Sequence, residues 1–290
     1  MQILSGYSKF YELEPLKTEY TAAKLINQKF NDGNFQNVNA TFVDFPWSVM
    51  INHNIRCVIP PVENGFVVCQ HIDFAEMLDQ WKEIGVKTLF TPHCIESSLR
   101  GIKVLPFPHK AYNYSYNSFR RKDLYDLSFV GATSTHWTRR YIMSLGADFW
   151  QKKGIRFFGM DTGKWHLEKS PEDQKRHSLL FRETMESSNF ALCPRGTGPG
   201  TLRFWEALCF GCIPVVISDD WQLPETIYNW DDIIIRVEAS ADTMSNIPES
   251  IRAVTNIAER QQKCREIFMQ FSQEGFITPI LKWLSNNATS

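Results

Sequence analysis

The stretch from Asn189 to Pro224 constrains the fold of this chain more than any other. Its first apolar run, Phe190 to Cys193, is long enough for a strand buried on both faces. Three glycines and two prolines between Pro194 and Gly200 then predict a turn with unusual backbone angles. A short helix and a second buried strand, Ile213 to Ile217, follow the turn. A strand–turn–helix–strand unit of this kind indicates an α/β protein with a parallel sheet.

The turn also predicts an anion site. Thr201 is the predicted N-cap of the helix, and a glycine-rich turn before a helix directs N–H groups at one point. Arg195 and Arg203 flank that point, and Glu206 lies one turn beyond Arg203. Two interpretations stay open from the residues alone. Either the arginines hold a phosphate while the carboxylate accepts sugar hydroxyls, or an ordinary loop lies beside a surface Arg203–Glu206 pair.

Three segments of the stretch resemble the signature of the exostosin-type glycosyltransferases. They are Cys193-Pro-Arg-Gly196, Thr201-x-Arg203-x-x-Glu206-Ala207 and Gly211-Cys-Ile-Pro-Val215, in that order. Weaker similarity extends back to about Tyr125. The resemblance implies a transferase that uses a nucleotide sugar, with this stretch binding the donor.

Alternating apolar runs and helical patterns predict a sheet in each half of the chain. The predicted strands are 56–59, 65–69, 87–90 and 102–105 in the first half, and 127–130, 155–158, 190–193, 213–217 and 233–237 in the second. Two continuous helices are predicted in the second half, over 137–150 and 247–272. The polar segment Tyr112–Arg121 predicts a linker. Phe42 to Trp47 is interpreted as an aromatic loop that faces a sugar or covers the core.

We therefore predict an α/β fold of GT-B type, in which two Rossmann-like domains face a cleft and the C-terminal helix crosses back. The exostosin resemblance implies the same fold. The expected domains are 1–120 on the acceptor side, 121–272 for the nucleotide sugar, and 273–290 as a terminal helix that packs back towards the first domain.

Ligands of open parallel sheets lie beyond the carboxyl ends of the strands, which in the second half selects Gly131 to His136, Asp161, Arg195, Gly196, Asp219 and Asp220. The candidate donor-binding residues combine residues from this rule with those of the predicted anion turn and of the exostosin resemblance. These are Gly131, Arg139, Arg140, Arg195, Gly196, Thr201, Arg203, Glu206 and Asp219, with Lys164 as a further phosphate candidate. Arg139 or Arg140 also follows a strand ending in glycine, as in the exostosins; the alternative is a surface arginine on an amphipathic helix. Asp219 is expected to bind a sugar hydroxyl or to cap the next segment.

The acceptor hydroxyl must lose a proton as it attacks, so a general base is expected in the first half. The same strand-end rule ranks Asp73 first and His71 second, and Asp44 is the third candidate. Asp73 has an alternative role as the N-cap of a helix that starts at Phe74, and His71 has one as a packed strand-end histidine.

No metal or other cofactor is predicted. The pair Asp219–Asp220 is the alternative metal site, but the GT-B class stabilises the leaving diphosphate with Arg, Lys and helix N-termini. The single C-x-x-C motif, Cys209 to Cys212, has no second pair at zinc-ligand spacing.

Composition limits the partners. A net charge of −1 argues against a basic nucleic-acid surface. The N-terminus shows no signal peptide, and no apolar run approaches 18 residues, so we expect a soluble protein without a membrane span, located in the cytoplasm, or in the host cytoplasm if viral. The odd number of cysteines, seven, predicts reduced thiols. The expected partners are a nucleotide-sugar donor and a glycan acceptor.

The predicted function is an inverting glycosyltransferase that moves a sugar from a UDP-sugar to a glycan hydroxyl. The chain resembles soluble microbial and viral exostosins, including a viral β-xylosyltransferase, which implies UDP-xylose; glucuronic acid, galactose and glucose stay open. Two alternatives remain. One is a catalytically silent carbohydrate- or nucleotide-binding module on the same fold, and the other is a phosphate-handling enzyme such as a sugar epimerase.

Overall fold

The computed structural model describes residues 1–12, 17–35, 37–111, 124–163 and 169–287. The chain forms two compact units. The first comprises Met1–Lys110, Asp220–Glu225 and Phe271–Ser290, and the second comprises Ala111–Asp219 and Thr226–Gln270. The predicted linker at 112–121 and the phosphate candidate Lys164 lie outside the described residues.

The first unit is built on a six-stranded sheet. Its strands are β1 (Gln2–Ser5), β2 (Thr41–Asp44), β3 (Gly65–Val68), β4 (Val86–Thr91), β5 (Ser98–Leu99) and β6 (Ile102–Pro106). The spatial order is β1-β2-β3-β4-β6-β5, and only the β5–β6 pair is antiparallel. Apart from the antiparallel β5–β6 pair at its edge, this order follows the chain, so the parallel strands described here show no reversal of the kind that forms a switch point.

Helices cover both faces of this first sheet. They are α1 (Lys17–Asn31), α2 (Trp47–Asn52), a 3₁₀ turn (Phe74–Met77) that continues into α3 (Leu78–Glu83), and the C-terminal helix (Thr278–Asn287). One core cluster joins α1 and the C-terminal helix to Phe42, Phe66 and Phe90 of the strands. The other joins α2 and α3 to Val67 and Leu89. Burial on both faces explains why these strands have continuous apolar sequences.

Two predictions for the first unit are wrong. The segment Phe42 to Trp47 is not an aromatic loop, because it forms most of β2 and the start of α2. The Trp47 ring is fully buried and meets Trp81 edge-on at 5.4 Å between ring centroids, so it packs the core. Arg56 to Ile59, expected as a strand, has no regular structure, and β2 occupies a place in the sheet instead.

The second unit is built on a five-stranded parallel sheet. Its strands are β7 (Tyr125–Gly131), β8 (Phe157–Asp161), β9 (Ser188–Pro194), β10 (Ile213–Ile217) and β11 (Ile235–Arg236). The spatial order is β11-β10-β9-β7-β8. If the five strands are renumbered 1 to 5 along the chain and read from the β8 edge, this is the doubly wound order 2-1-3-4-5. The direction of the strand order reverses between β7 and β9. Ligands of such sheets bind at that reversal, beyond the carboxyl ends of the strands.

The helices of the second unit divide between the two faces of its sheet. They are α4 (Trp137–Ser144), α5 (Gly146–Lys152), α6 (Pro171–Glu186), α7 (Leu202–Phe210), α8 (Ala241–Ser245), α9 (Ile247–Arg252) and α10 (Ile257–Gln270). Right-handed crossovers place α6 and α7 on one face, where α10 packs against α7, and α4 and α5 on the other. Two helices expected to be continuous are each interrupted, the first where Gly146 adopts a φ of +71° and the second over 253–256.

The predicted α/β class with two parallel-sheet domains is confirmed. The C-terminal helix packs on the first unit through Ile280 and Leu284. Across the described residues, no helix combines the length and apolar character that a membrane span requires.

Candidate functional site

The switch point of the second sheet contains a gap between two strands. The pairing of β7 with β9 stops at Ser128 and Ala191. Beyond that point β7 pairs only with β8, as far as Gly131, and β9 pairs only with β10, as far as Pro194. The strand ends therefore separate, and backbone carbonyls at the gap need partners from elsewhere.

Arg139 supplies partners from α4. Its Nε donates to the carbonyl of Arg195 at 2.9 Å, its Nη1 to Ala132 at 3.2 Å and its Nη2 to Pro194 at 3.2 Å. Burial lowers the pKa of Arg139 to about 9, and the positive charge of Arg203 adds to the effect. The guanidinium thus ties the loop after β7 to the end of β9.

Arg203 enters the gap from α7, on the opposite face. Its side chain is deeply buried, with only 8% of the residue exposed, and its Nη2 donates to the carbonyl of Val130. The guanidinium carbon lies 4.5 Å from the centre of the Phe129 ring, within cation–π range. The buried Nε has no hydrogen-bond partner. Burial lowers the pKa of Arg203.

The two predicted site glycines lie beneath these guanidinium groups. A Cβ atom on Gly131 would overlap Nη2 of Arg203. A Cβ atom on Gly196 would lie 3.1 Å from Nη2 of Arg139, tighter than most real contacts. Gly131 therefore leaves space for an arginine, and Gly196 does so to a lesser degree.

Arg195 and Arg140 are less constrained. Arg195 is half-buried, and its Nη2 makes one long contact of 3.5 Å with the Thr197 carbonyl, while its buried Nε has no partner. Arg140 is exposed and donates to Ser134 at 3.3 Å. Both side chains can reach a ligand without breaking a network of hydrogen bonds.

His136 ends the loop after β7, which the strand-end rule selected, although it was not ranked among the donor-binding residues. It occupies the N-cap of α4, where its Nδ1 accepts from the Thr138 N–H at 3.3 Å. Burial lowers the pKa of His136, and the charges of Arg195, Arg139 and Arg140 lower it further. Its sequence signals were its place in the loop beyond a strand end and its place just before a helix.

We call Arg139, Arg140, Arg195 and Arg203 the arginine cluster. None of the four forms an ion pair with any carboxylate in the described part of the chain. Guanidinium groups that form no salt bridge, at a switch point and beside the N-terminus of α7, make this a candidate anion site.

Glu206 lies one turn along α7 from Arg203. It is half-buried and forms no hydrogen bond to a described residue. Burial raises the pKa of Glu206 to about 7, although the charge of Arg203 opposes the rise. The interpretation of these two residues as a surface ion pair is wrong, because Arg203 is buried and no salt bridge joins them. Glu206 is an acceptor available to a ligand.

Thr201 and Asp219 are the two remaining predicted donor-binding residues. Thr201 occupies the N-cap position of α7, but its side chain makes no capping hydrogen bond, contrary to the prediction. Asp219 accepts from the Ala239 N–H at 2.7 Å, so it holds the segment after β11. It also lines a cavity of about 220 Å³ with Ser218 and Glu238.

Asp161 orders the loop that follows β7. It accepts from the Thr133 N–H at 3.1 Å, from Thr133 Oγ1 at 2.6 Å and from the Gly163 N–H at 2.9 Å. Burial would raise the pKa of Asp161, but these hydrogen bonds lower it overall. The carboxylate thus holds one edge of the anion site without facing the arginines as a counter-ion.

Two of the predicted base residues lie after β3 in the first unit. The Asp73 side chain is 60% exposed and makes no capping hydrogen bond, so the N-cap alternative is not realised. The Asp73 N–H donates to Nδ1 of His71 at 3.0 Å, and Nε2 of His71 lies 2.7 Å from Asn52 Oδ1. Asp73 is open to solvent, and His71 is held on both ring nitrogens.

Asp44, the third candidate, is buried at the end of β2. It is 7% exposed and accepts hydrogen bonds from Ser5, Tyr11 and Asn27 at 2.8–3.2 Å. The prediction that Asp44 is a base assumed that it lies in an exposed loop. In the structure, β2 places its carboxylate among these three hydrogen-bond donors. It joins elements of the first unit and is poorly placed to reach an acceptor.

Glu19 of α1 is a second buried carboxylate at this edge, and it was not predicted. It is 1% exposed and accepts from Ser48 Oγ at 2.5 Å and from the Gln70 N–H at 2.8 Å. Burial raises its pKa to about 7, opposed by these hydrogen bonds. Its spacing from Ala22 and Ile26 is the signal that places it on the buried face of the helix.

No group of three or more His, Cys, Asp or Glu side chains suited to a metal ion occurs in the described ranges. Metal-independent activity stays a prediction.

The fold and the arginine cluster define an α/β protein with a candidate anion site at a sheet switch point. Residues 101–252, just over half of the chain, match the family model described as Exostosin GT47 domain. The chain therefore belongs to the exostosin GT47 family of glycosyltransferases. The predicted resemblance is confirmed.

The chain is also similar to individual proteins over shorter stretches. It is 40% identical over 92 residues to Exostosin-1 homolog of Caenorhabditis elegans, covering 30% of this chain and 23% of that protein. It is 36% identical over 107 residues to "Probable beta-1,4-xylosyltransferase IRX10L" of Arabidopsis thaliana, covering 34% of this chain and 26% of that protein. The matches thus span about a quarter of those relatives' own length. Among solved structures, TarM aligns with a TM-score of 0.47 and 11% identity over 88% of this chain and 56% of TarM.

Proposed function

We propose that the protein is a glycosyltransferase whose second unit binds the diphosphate of a nucleotide sugar at the arginine cluster. One observation carries the proposal: four arginines surround a sheet switch point, and none forms a salt bridge with a carboxylate among the described residues. Family membership fits this assignment.

Different residues of the site bind different parts of the donor. Arg195, Arg140 and the N–H groups after Gly196 contact the phosphates, because these groups are partly exposed at the carboxyl edge of the sheet. Glu206 accepts hydrogen bonds from ribose hydroxyls, because its carboxylate has no described partner. The donor is a UDP-sugar.

The arginines also act in the chemical step. Breaking the bond from the anomeric carbon to the phosphate puts negative charge on the nucleoside diphosphate, and the cluster stabilises that charge as it develops. The acceptor hydroxyl attacks the anomeric carbon in line and inverts its configuration. Asp73 is the first choice for the base because it is exposed; His71 follows, and Asp44 is last because three donors hold it.

UDP-xylose is the proposed donor, with a glycan hydroxyl as acceptor. The similarity to a plant protein named as a probable β-1,4-xylosyltransferase supports xylose. The similarity to exostosins leaves other UDP-sugars as outcomes of the test.

The test combines binding and turnover. Calorimetry measures the affinity for UDP, and UDP release from a panel of UDP-sugars measures hydrolysis or transfer. Arg195→Ala is expected to weaken UDP binding by about 1.5–3 kcal/mol, the value of a hydrogen bond to a charged group. Arg176→Ala is the matched control, because Arg176 is an exposed arginine paired with Asp173 on α6.

Three results would count against the proposal. Unchanged UDP affinity in Arg195→Ala would overturn the donor site. UDP binding without turnover of any UDP-sugar would favour a silent binding module. Conversion of the sugar without release of UDP would indicate an epimerase.

A further inference from the structure

Side chains fill the gap between β7 and β9. Arg139 reaches it from one face of the sheet and Arg203 from the other, and we call this pair the arginine wedge. Together they bond the carbonyls of Val130, Ala132, Pro194 and Arg195. These carbonyls lie where the β7–β9 pairing has ended, so the wedge replaces ladder hydrogen bonds.

We propose that the arginine wedge positions the two loops of the donor site, and that Arg195, not the wedge, contacts the phosphates. The inference rests on the proposed function and divides its arginine cluster into two roles. Each nitrogen of the Arg139 guanidinium already donates to a carbonyl. Arg203 is almost fully buried and lies over Phe129. Arg195 has only one long side-chain contact.

The glycines support this division. The guanidinium of Arg203 fills the position that a Cβ atom on Gly131 would take, and a Cβ atom on Gly196 would lie 3.1 Å from Nη2 of Arg139. A methyl group on Gly131 would push Arg203 away from Val130 without changing any charge. The contact therefore gives a way to disturb position and charge separately.

Lysine separates the roles further, because it keeps the charge but lacks the planar fork. A lysine at 203 cannot lie flat over Phe129 while it donates to Val130. If Arg203 acts by position, Arg203→Lys loses about tenfold or more in UDP affinity, the scale of one misplaced charge-assisted hydrogen bond. If Arg195 acts by contact, Arg195→Lys retains more affinity than Arg195→Ala.

The experiment measures UDP and pyrophosphate affinity for the full chain at several salt concentrations. The variants are Gly131→Ala, Arg203→Lys, their double mutant, Arg195→Lys and Arg195→Ala, with Arg176→Lys as control. Unfolding in urea is followed for each variant, and binding is measured where the protein is folded.

We expect Gly131→Ala and Arg203→Lys each to weaken binding with an unchanged salt dependence. The double mutant should lose less than the sum of the two, because a lysine vacates the space that the added methyl group needs. Arg195→Ala should reduce the salt dependence, because it removes a charge that touches the ligand.

Several outcomes would overturn the inference. If Arg203→Lys binds UDP as tightly as the unmodified protein, position does not matter. If Gly131→Ala loses stability while the folded protein keeps its affinity, the wedge is structural only. If the single losses add fully, the two residues act separately. If Arg203→Lys does not fold, the UDP affinity and stability of Gly131→Ala alone test the positioning role of the wedge. Failure of the unmodified protein to bind UDP and pyrophosphate would refute the proposed function instead, and the double-mutant cycle in unfolding would still report the contact.

Discussion

Glu206 gives the sharpest test of the donor site through pH. Its carboxylate has a pKa of about 7, raised by burial, and no described residue bonds it. A ribose hydroxyl donates to the ionised form, so only protein with ionised Glu206 binds the donor well. With that pKa, roughly nine-tenths of the protein is competent at pH 8 and roughly one-tenth at pH 6, which predicts an affinity about tenfold weaker at pH 6.

The assay is calorimetry with intact UDP-xylose between pH 6 and pH 8. A nucleotide sugar is preferred to UDP because its phosphates carry no group that titrates near neutral pH. Glu206→Gln should bind more weakly than the unmodified protein at pH 8 and converge with it at pH 6. Glu172→Gln, at an exposed position on α6, is the control for the loss of a carboxylate.

His136 titrates in the opposite direction. Its pKa lies below the usual value because of burial and three arginines, and its protonation at low pH would strengthen binding of an anion. Comparison with Glu206→Gln removes this contribution, because both proteins contain His136. Parallel pH profiles for the two proteins would refute the assignment of Glu206. Tighter binding of the unmodified protein towards pH 6, relative to Glu206→Gln, would show that its carboxylate repels the phosphates and does not accept a hydroxyl.

Three further predictions concern stability and the base. Burial raises the pKa of Glu19 from 4.5 to about 7, so the stability of the unmodified protein should fall as the pH rises through that window. Glu19→Gln should lack this loss. In urea titrations between pH 4.5 and pH 7, the free energy of unfolding of the unmodified protein should fall by up to about 3 kcal/mol relative to that of Glu19→Gln. Gly211→Ala should cost about 1–2 kcal/mol in the same titrations, because Gly211 ends α7 with a φ of +63° and a Cβ atom would meet Arg265. Asp44→Asn should lower the free energy of unfolding by about 1–3 kcal/mol while turnover by the folded protein persists, because its carboxylate holds three donors. Loss of turnover at full stability would instead identify Asp44 as the base.

The sequence predicted the α7 unit well because its information is local. Gly196, Arg203 and Glu206 stand at fixed spacings in one motif, and a strand, turn and helix follow from a few neighbouring residues. The sequence left Arg139 and Arg140 as equal candidates. They are adjacent on one helix and point in different directions, so only the fold shows which of them enters the gap.

Long-range contacts account for the errors. Asp44 was assigned to a loop because β2 is only four residues long and is followed by Pro46. Its hydrogen-bond partners Tyr11 and Asn27 are distant in sequence, and no local pattern indicates them. The Arg139 network has the same character, because Arg139 and Arg195 are 56 positions apart.

The discontinuity of the first unit has a consequence for synthesis. Its core contains residues from α1 together with Phe276, Ile280 and Leu284, which leave the ribosome only after the whole of the second unit. The part of the sheet face that these C-terminal residues cover therefore stays exposed during translation, while the second unit can already be complete. The nascent first unit presents an apolar surface that needs protection from aggregation, and the last-made helix closes it.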